Sequence, residues 1–446
     1  MRPSTILALL AATAPLAAAG GEEHTNVVIL LADDLGYGDP GCYGGSIPTP
    51  RIDSLARDGA LFTQAYAPAP VCTPSRAGLY TGKYPARVGV QANTGVNKLA
   101  RKRDRGLPPE AVTYAELLEP LGYRAGLIGK WHLGLAEGLE PEDQGFDFFG
   151  FLGASHVYLP DGTDAKMRRN EVVEEEHEQE YLTDAFAREA EAYLARHKDE
   201  PFVLTLSFSA PHNPFQATPK YLERFPDRQG IDQTYAAMVS ALDDAVGRVL
   251  DALEREGLAG RTLVVFTSDN GAPLEESPGS NGELAEGKGV LFEGGIRVPM
   301  VVRWPGHATP GARITAPVTL LDVTATALKL AGASAETLGE LDGLDLAPVL
   351  AGQAPAERAL FFQLGPAAAI RRGDWKLIAS KQSRWLFDLA TDPGERVDLA
   401  DGKPDVAEAL AQELAAWSAK CPEPAWTNEK NLTPVRFLGK TYFVEY

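Results

Sequence analysis

Four short apolar runs constrain the fold of this chain more than any other feature of its sequence. They cover residues 25–32, 123–128, 201–209 and 262–267. Runs of this length without polar alternation are typical of strands that are buried on both faces of a sheet. Amphipathic helical patterns lie between the runs, the longest at 235–256. This alternation predicts an α/β fold with a large mixed, mostly parallel sheet that is flanked by helices.

Polar side chains follow each of the four runs within four residues. In chain order they are Asp33 with Asp34, Lys130 with His132, His212, and Asp269 with Asn270. In an open α/β sheet, ligands bind at the carboxyl ends of the strands, so we expect these side chains to converge. Their carboxylate and amide oxygens suit Ca²⁺ or Mg²⁺ rather than zinc. For Asp33 and Asp34, a helix cap beside a solvated carboxylate is the alternative.

A lone cysteine, Cys72, lies between Pro70 and Pro74. Because Pro74 fixes its own φ and has no N–H, the segment predicts a loop that turns into a helix near Pro74. The free N–H groups at the start of that helix and the guanidinium of Arg76 would favour an anion beside Cys72. Lys288, in a Gly-rich loop, would add another positive charge. A buried structural cysteine is the alternative interpretation.

Six motifs that hold these residues occur together, in a fixed order along the chain. They are Asp33-Asp34-Leu-Gly-Tyr-Gly, Cys72-Thr-Pro-Ser-Arg76 with a following Leu-Tyr-Thr-Gly, Gly-Lys130-Trp-His132-Leu-Gly, Pro211-His212, Asp269-Asn270-Gly271, and Lys288 before Glu-Gly-Gly-Ile-Arg. The set resembles the type I sulfatases, the arylsulfatase A and N-acetylgalactosamine-6-sulfatase-like family of the alkaline phosphatase superfamily. The resemblance implies an alkaline-phosphatase-like fold and a sulfuric ester hydrolase. Its substrates would be sulfate esters, expected to be those of sulfated carbohydrates, with aryl sulfates as artificial substrates.

The resemblance also implies two cofactors. Cys72 would be oxidised to formylglycine by a formylglycine-generating maturation enzyme, and the hydrated aldehyde would attack sulfur. The second implied cofactor is Ca²⁺. Its ligands would be Asp33, Asp34, Asp269 and Asn270.

Roles for the cations and the histidines follow from the same resemblance. Lys130 and Lys288 would neutralise the sulfate oxygens, and Arg76 would hold the nucleophile and the nearby carboxylates in register. His212 would protonate the leaving alcohol, with help from Lys288. His132 would take a proton from the second hydroxyl of the nucleophile, so that sulfate is expelled. The implied substrate contacts are Lys130, His212, Lys288 and Ser155.

Two other functions fit the same residues. A metal-dependent phosphodiesterase or phosphonate hydrolase of the same superfamily could use a similar pocket. A non-catalytic protein that binds sulfated glycans could keep Cys72 unmodified. Turnover of aryl sulfates against aryl phosphodiesters separates the first alternative, and the state of the Cys72 thiol separates the second.

Charge and the N-terminal residues predict the surroundings in which the chain works. The formal net charge of −19 argues against a nucleic-acid partner, which would need a basic face. Residues 1–19 have Arg2 before a short apolar stretch that ends in small residues, which predicts a signal peptide. No later stretch is long and apolar enough to predict a membrane span. We therefore expect an exported protein, periplasmic or secreted.

The expected domain organisation is a catalytic domain at residues 22–353 and a C-terminal α+β subdomain at residues 354–446. The subdomain has four short strand patterns separated by turn residues, a helical pattern at 405–418, and an extended tail that we expect to lie over the surface. Of the three cysteines, Cys42 and Cys421 could pair in an oxidising compartment if Cys72 is modified.

Overall fold

A computed structural model describes residues 24–95, 102, 104–159, 167–174, 180–381, 383–427 and 432–445. The predicted signal peptide at 1–19 lies outside the described residues. None of the helices in the described part of the chain has the length and apolar character that crossing a membrane requires.

A mixed sheet of eleven strands forms the centre of the fold. Its strands are β1 Asn26–Ala32, β2 Ala60–Tyr66, β3 Arg124–Lys130, β4 Asp147–Phe151, β5 Met167–Arg169, β6 Val172–Glu174, β7 Phe202–Ser207, β8 Thr262–Ser268, β9 Arg297–Arg303, β10 Ala312–Ile314 and β11 Val318–Thr319. The strand order is β10-β2-β9-β8-β1-β7-β3-β4-β5-β6, and β11 pairs with β2. Strand β9 runs antiparallel to both β2 and β8, whereas β1, β3, β7 and β8 are parallel to one another. The predicted large, mixed and mostly parallel sheet is confirmed.

The four predicted apolar runs become β1, β3, β7 and β8, which are neighbours in the order β8-β1-β7-β3. Strand β1 lies at the centre of this group and alternates its side chains between two cores. Val28, Leu30 and Ala32 enter one core, while Val27, Ile29 and Leu31 enter the other. Because both faces of the strand are buried, its sequence has no polar alternation.

Helices cover both faces of the sheet. They are α1 Pro50–Asp58, α2 Cys72–Thr81, α3 Tyr114–Leu118, α4 Leu182–Arg196, α5 Pro219–Leu222, α6 Gly230–Arg255, α7 Glu293–Ile296, α8 Leu320–Leu330, α9 Ala335–Gly339, α10 Ala347–Leu350 and α11 Pro404–Ser418. Helices α1, α4 and α6 pack on one face, and α2, α3 and α8 pack on the other. This is the layered arrangement that a fully buried parallel sheet requires.

A small antiparallel sheet forms the C-terminal part of the chain. Its strands are β12 Ala359–Leu364, β13 Ala367–Arg372, β14 Trp375–Ser380 and β15 Ser383–Asp388, in that order, and α11 packs against them. This sheet confirms the four predicted short strands. The boundary between residues 353 and 354 stays a prediction.

The C-terminal tail differs from the predicted surface extension. Strands β16 Leu432–Phe437 and β17 Lys440–Glu445 form a hairpin. Tyr442 of this hairpin is fully buried and packs in a cluster with Phe292, Trp385 and Phe387. The tail is therefore part of a core, because its aromatic side chains supply apolar area that the small sheet alone lacks.

Several element boundaries also differ from the predictions. Helix α2 begins at Cys72 and not near Pro74, so Pro74 occupies the first turn, where its missing N–H costs nothing. Strand β3 continues to Lys130, two residues beyond the predicted end at Ile128. Helix α6 begins at Gly230, before the apolar periodicity that predicted a start at residue 235.

Candidate active site

The polar residues after β1, β7 and β8 lie close together because backbone hydrogen bonds join the segments that follow these strands. Asp33 donates its N–H to the carbonyl of Ala210, at 3.2 Å, and Asp269 donates its N–H to the carbonyl of Ala32, at 3.1 Å. Asp34 turns sharply after β1, with φ of 65° in the left-handed region. Non-glycine residues in this region are uncommon and cluster at functional sites.

Cys72 is the first residue of α2 and faces the two carboxylates that follow β1. Its Sγ lies 3.4 Å from Asp33 Oδ1 and 3.9 Å from Asp34 Oδ1. Burial and the charge of Asp269 raise the pKa of the Cys72 thiol well above its usual value. An unmodified Cys72 would therefore stay a neutral thiol.

The start of α2 is capped by a residue from outside the helix. The side chain of Val71, the N-cap, makes no capping bond, and Asn93 Oδ1 instead accepts the N–H of Thr73, at 3.1 Å.

Three cations face three carboxylates at this edge of the sheet. Lys130 Nζ lies 2.6 Å from Asp33 Oδ2, and Lys288 Nζ lies 2.8 Å from Asp34 Oδ1. Arg76 contacts Asp269 Oδ2 with Nη2 at 2.9 Å and with Nε at 3.0 Å. The formal charges of these six groups cancel. The cluster can therefore be buried without a net charge.

The carboxylates respond differently to this environment. Burial alone would raise the pKa of Asp33, but the charges of Lys130, His212 and Arg76 hold it well below its usual value. Burial and the charge of Asp33 raise the pKa of Asp269 to about 6. Of these two carboxylates, Asp269 therefore gains a proton before Asp33 does as the pH falls.

His212 faces the same carboxylates from the loop after β7. Its Nε2 lies 3.6 Å from Asp34 Oδ2, and its Nδ1 lies 2.6 Å from the carbonyl of Asn213. A carbonyl only accepts hydrogen bonds, so Nδ1 carries the hydrogen and Nε2 is the nitrogen that gains or loses a proton. Burial lowers the pKa of His212, although Asp33 and Asp34 oppose this shift.

His132 reaches the site in a way that the sequence did not predict. Residues two apart in extended backbone lie on one face, so the spacing of Lys130 and His132 alone would place both side chains on the same side. The backbone is not extended here, because His132 has φ of 58°. This turn follows β3, and Thr73 of α2 donates its Oγ1–H to the carbonyl of His132, at 3.0 Å. Burial and the charge of Lys130 lower the pKa of His132 well below its usual value. Its buried Nδ1 has no hydrogen-bond partner among the described residues.

Comparison with known proteins gives the family. The sulfatase family profile matches residues 25–333, and the profile described as N-sulphoglucosamine sulphohydrolase, C-terminal matches residues 286–420. The chain belongs to the sulfatase family. It is a sulfuric ester hydrolase, as the motifs predicted.

Relatives of this sulfatase are similar over most of their length. Steryl-sulfatase of Mus musculus is 36% identical, over 88% of this chain and 81% of the relative. Arylsulfatase A of Homo sapiens is 35% identical, over 91% of this chain and 89% of the relative. The crystal structure of Ps i-CgsB in complex with k-i-k-neocarrahexaose superimposes with a TM-score of 0.84 at 35% identity, over 90% of this chain and 94% of that one.

The donor set of the sulfatase fits a hard divalent cation. Ligand atoms of Asp33, Asp34, Cys72 and His212 lie within 4.8 Å of one another, and the two carboxylates are the hard oxygen donors of this group. Asn270 donates its Nδ2 hydrogens to Asp34 Oδ1, at 2.7 Å, and to the carbonyl of Gly271, at 3.0 Å. Its Oδ1 is buried without a hydrogen-bond partner in the described part of the chain. An oxygen left free beside carboxylates is what a calcium ion would coordinate.

Asp269 is oriented within the same cluster by two contacts. Its Oδ1 accepts the N–H of Asp34, at 3.2 Å, while its Oδ2 faces Arg76. Of the four predicted calcium ligands, Asp34 contacts both Asn270 and Asp269, and Asp269 is shared with the guanidinium of Arg76. The four residues lie at one edge of the sheet, and their role as calcium ligands stays a prediction.

Ser155 is the predicted site residue that the structure connects most weakly to the others. It is exposed on the loop after β4. The same loop reaches the site through Tyr158, whose hydroxyl donates to the carbonyl of His212, at 2.9 Å. A substrate contact by Ser155 stays a prediction.

The sequence did not identify two residues that orient the site. Ser207, the last residue of β7, accepts an N–H of Arg76 and donates its hydroxyl to the carbonyl of Lys130, at 2.8 Å. A serine that interrupts a buried apolar run was a signal that could have been used. Asn93, which caps α2, had no such signal. Cys42 and Cys421 are both free thiols, so the possible disulfide is absent.

Proposed function

We propose that this sulfatase is calcium-dependent, acts on sulfated carbohydrates, and uses a formylglycine made from Cys72. The observation that carries the proposal is the position of the Cys72 thiol. It contacts the same two carboxylates that Lys130 and Lys288 contact. A nucleophile made at this atom would therefore lie beside both the cation ligands and the positive side chains.

Local charge supports an anionic substrate. Because the three carboxylates and three cations balance, a bound divalent cation would leave this edge of the sheet with excess positive charge. The chain as a whole carries a formal charge of −19, which repels anions at long range. The attraction that a sulfate ester needs must therefore be made within the site.

Each cofactor would supply one kind of chemistry. When present, formylglycine would provide a hydrated aldehyde as the nucleophile, and calcium would withdraw charge from the sulfate oxygens. Lys130 and Lys288 would donate hydrogen bonds to the same oxygens. Arg76 would hold Asp269 in position through a hydrogen bond from Nε and an ion pair with Nη2.

The histidines would move the protons. Because Nδ1 of His212 faces a carbonyl, its Nε2 is the atom that would hold the proton for the leaving alcohol. Burial lowers the pKa of His212, but the charges of Asp33 and Asp34 oppose this shift and would favour the protonated form that an acid needs. The pKa of His132 is lowered, so its imidazole would be neutral near pH 7 and could accept a proton from the nucleophile. These assignments separate an acid on the β7 side from a base on the β3 side.

A carbohydrate substrate is supported by a solved relative. Ps i-CgsB, which is 35% identical, was solved in complex with k-i-k-neocarrahexaose. We further propose that residues 1–19 are a signal peptide and that the chain is exported. Residues 22–353 would then form the catalytic domain and residues 354–446 the C-terminal subdomain.

The state of Cys72 tests the proposal directly. Peptide mass spectrometry of active enzyme should find an aldehyde at Cys72, and the enzyme should release sulfate from sulfated oligosaccharides and from aryl sulfates. The Cys72→Ala variant, with the same fold, should have no turnover. Active enzyme that holds only a free thiol would contradict the formylglycine, and faster turnover of aryl phosphodiesters than of aryl sulfates would contradict the substrate class.

A further inference from the structure

A second cluster of buried charges joins the small antiparallel sheet to the loop that carries Lys288. At its centre, Lys376 of β14 lies 2.9 Å from Glu293 Oε1 and 2.9 Å from Glu395 Oε1. All three side chains are fully buried. Glu395 also accepts the backbone N–H of Glu293. Lys376 and Glu395 thus hold both the side chain and the backbone of Glu293.

The cluster extends to both parts of the chain. Tyr66 of β2 donates its hydroxyl to Glu293 Oε2, at 2.7 Å, and itself accepts a hydrogen bond from Arg371 of β13. Arg297 NH1 lies 3.4 Å from Glu293 Oε2. Burying so many charges rarely adds stability, because apolar side chains of similar volume usually do as well or better. The arrangement therefore calls for a reason other than stability.

Glu293 connects this cluster to Lys288 through a compact stretch of backbone. Lys288 donates its N–H to the carbonyl of Ala272, at 3.2 Å, and Gly294 donates its N–H to the carbonyl of Ala285, at 2.8 Å. The chain thus folds back so that residues just after Glu293 bind residues just before Lys288. A Cβ atom on Gly294 would lie 2.1 Å from the carbonyl oxygen of Glu286, so the two segments pack at backbone contact.

We infer that Lys376 and Glu395 are positioning residues, which set the place of Lys288 in the active site by fixing Glu293. The inference rests on the proposed role of Lys288 at the sulfate oxygens. Lys288 Nζ contacts Asp34, which Cys72 Sγ also contacts. A shift of the loop would therefore move this ammonium group relative to the nucleophile. The small C-terminal sheet is in this way part of the catalytic apparatus, although none of its side chains reaches Cys72 in the described contacts.

A double-mutant cycle with an aryl sulfate as substrate tests this role. The four proteins are wild type, Lys376→Met, Lys288→Ala and the double variant, each prepared with calcium and with its aldehyde content measured. We expect Lys376→Met to lower kcat/KM about tenfold when Lys288 is present and by less than about twofold when it is replaced, because residues that act as one unit are not additive.

If Lys376→Met lowers kcat/KM by the same factor with and without Lys288, the inference is overturned and the proposed function stays intact. Absence of aryl sulfate turnover by wild-type enzyme would overturn the proposed function and this inference with it. The matched control is Arg358→Met, which breaks another ion pair between the C-terminal residues and the main sheet domain, Arg358 to Asp322. Among the described contacts, Arg358 reaches no residue of the Lys288 loop, so the effect of this variant should be the same in both backgrounds.

Glu395→Gln keeps the inference testable if Lys376→Met does not fold. This variant leaves the Lys376–Glu293 pair intact and keeps an oxygen that can accept the N–H of Glu293. We expect it to lower kcat/KM about threefold with Lys288 present and to have no measurable effect in the Lys288→Ala background. Equal losses in the two backgrounds would overturn the inference here as well.

Discussion

Replacing Arg76 by Met removes the cation that balances Asp269 inside the protein. The guanidinium is fully buried and makes two contacts with Asp269, one with the carbonyl of Lys130 at 3.1 Å, and one with Ser207. Methionine has a similar volume and no charge. The variant therefore leaves a buried carboxylate without its partner and causes little change in packing.

The size of the effect follows from this burial. Removing one partner of a buried ion pair costs about 3–5 kcal/mol, because the remaining charge stays desolvated. An unfolding entropy of about 2.1 cal/mol/K per residue gives about 0.9 kcal/mol/K for 446 residues, so this cost lowers Tm by about 3–5 °C. Unfolding of the catalytic part alone would give a larger shift. At pH 5 the shift should be smaller than at pH 8, because the pKa of Asp269, raised to about 6, lets this carboxyl take up a proton.

Differential scanning calorimetry in EDTA and in calcium measures this shift. We expect a smaller loss of Tm with calcium, because a bound cation would offset the charge of Asp269 in place of Arg76. The double variant Arg76→Met with Asp269→Asn should recover part of the loss in EDTA, since it has no unpaired charge. The control is Arg124→Met, which breaks the exposed pair with Glu200 and should change Tm by less than about 1 °C. An Arg76→Met variant that unfolds within 1 °C of wild type in EDTA at pH 8 would refute this reasoning.

Two further predictions concern proton transfer and metal binding. His212→Ala should slow the hydrolysis of sugar sulfates about 10²–10⁴-fold more than that of activated aryl sulfates, because only the sugar alkoxide needs a proton to leave. Initial rates on both substrates measure this difference, and equal slowing would exclude His212 as the acid. The control is His132→Ala, which should slow both substrates alike because His132 would act after the leaving group has gone. Calcium affinity, measured by titration calorimetry between pH 5 and 8, should weaken up to tenfold per pH unit below about pH 6, since protons compete for Asp269 while Asp33 stays ionised; an affinity that does not change with pH would contradict the place of Asp269 among the ligands.

The sequence was sufficient to predict the centre of the sheet and the convergence of the site. Strands such as Asn26–Ala32 are buried on both faces, and this environment forces an uninterrupted apolar run that can be recognised without a structure. Polar groups directly after such runs are equally recognisable, because a buried strand end has no solvent to satisfy them. The motifs around Cys72 predicted the sulfatase family, which the comparisons confirm.

Contacts between distant residues could not be predicted in this way. The left-handed turn at His132 and the cap from Asn93 to Thr73 depend on neighbours that only the folded chain supplies. Strand Asp147–Phe151 was missed because its aromatic and glycine residues match no clear strand period. Lys376 pairs with Glu293, which lies 83 positions away in the sequence. The residues next to either one do not indicate which distant side chain it will contact.

The strand order also determines when the Cys72 thiol becomes inaccessible during folding. Strand β1, which leads to Asp33 and Asp34, lies between β7 and β8, and these two strands come from residues 202–207 and 262–268. In a chain emerging from the ribosome, Cys72 is thus synthesised about 190 residues before the last of these neighbours. Only 1% of its surface is exposed once the sheet is complete. If Cys72 is oxidised as proposed, the maturation enzyme would have to act on the incomplete or unfolded chain, and chains that fold before they meet it would be well ordered and inactive.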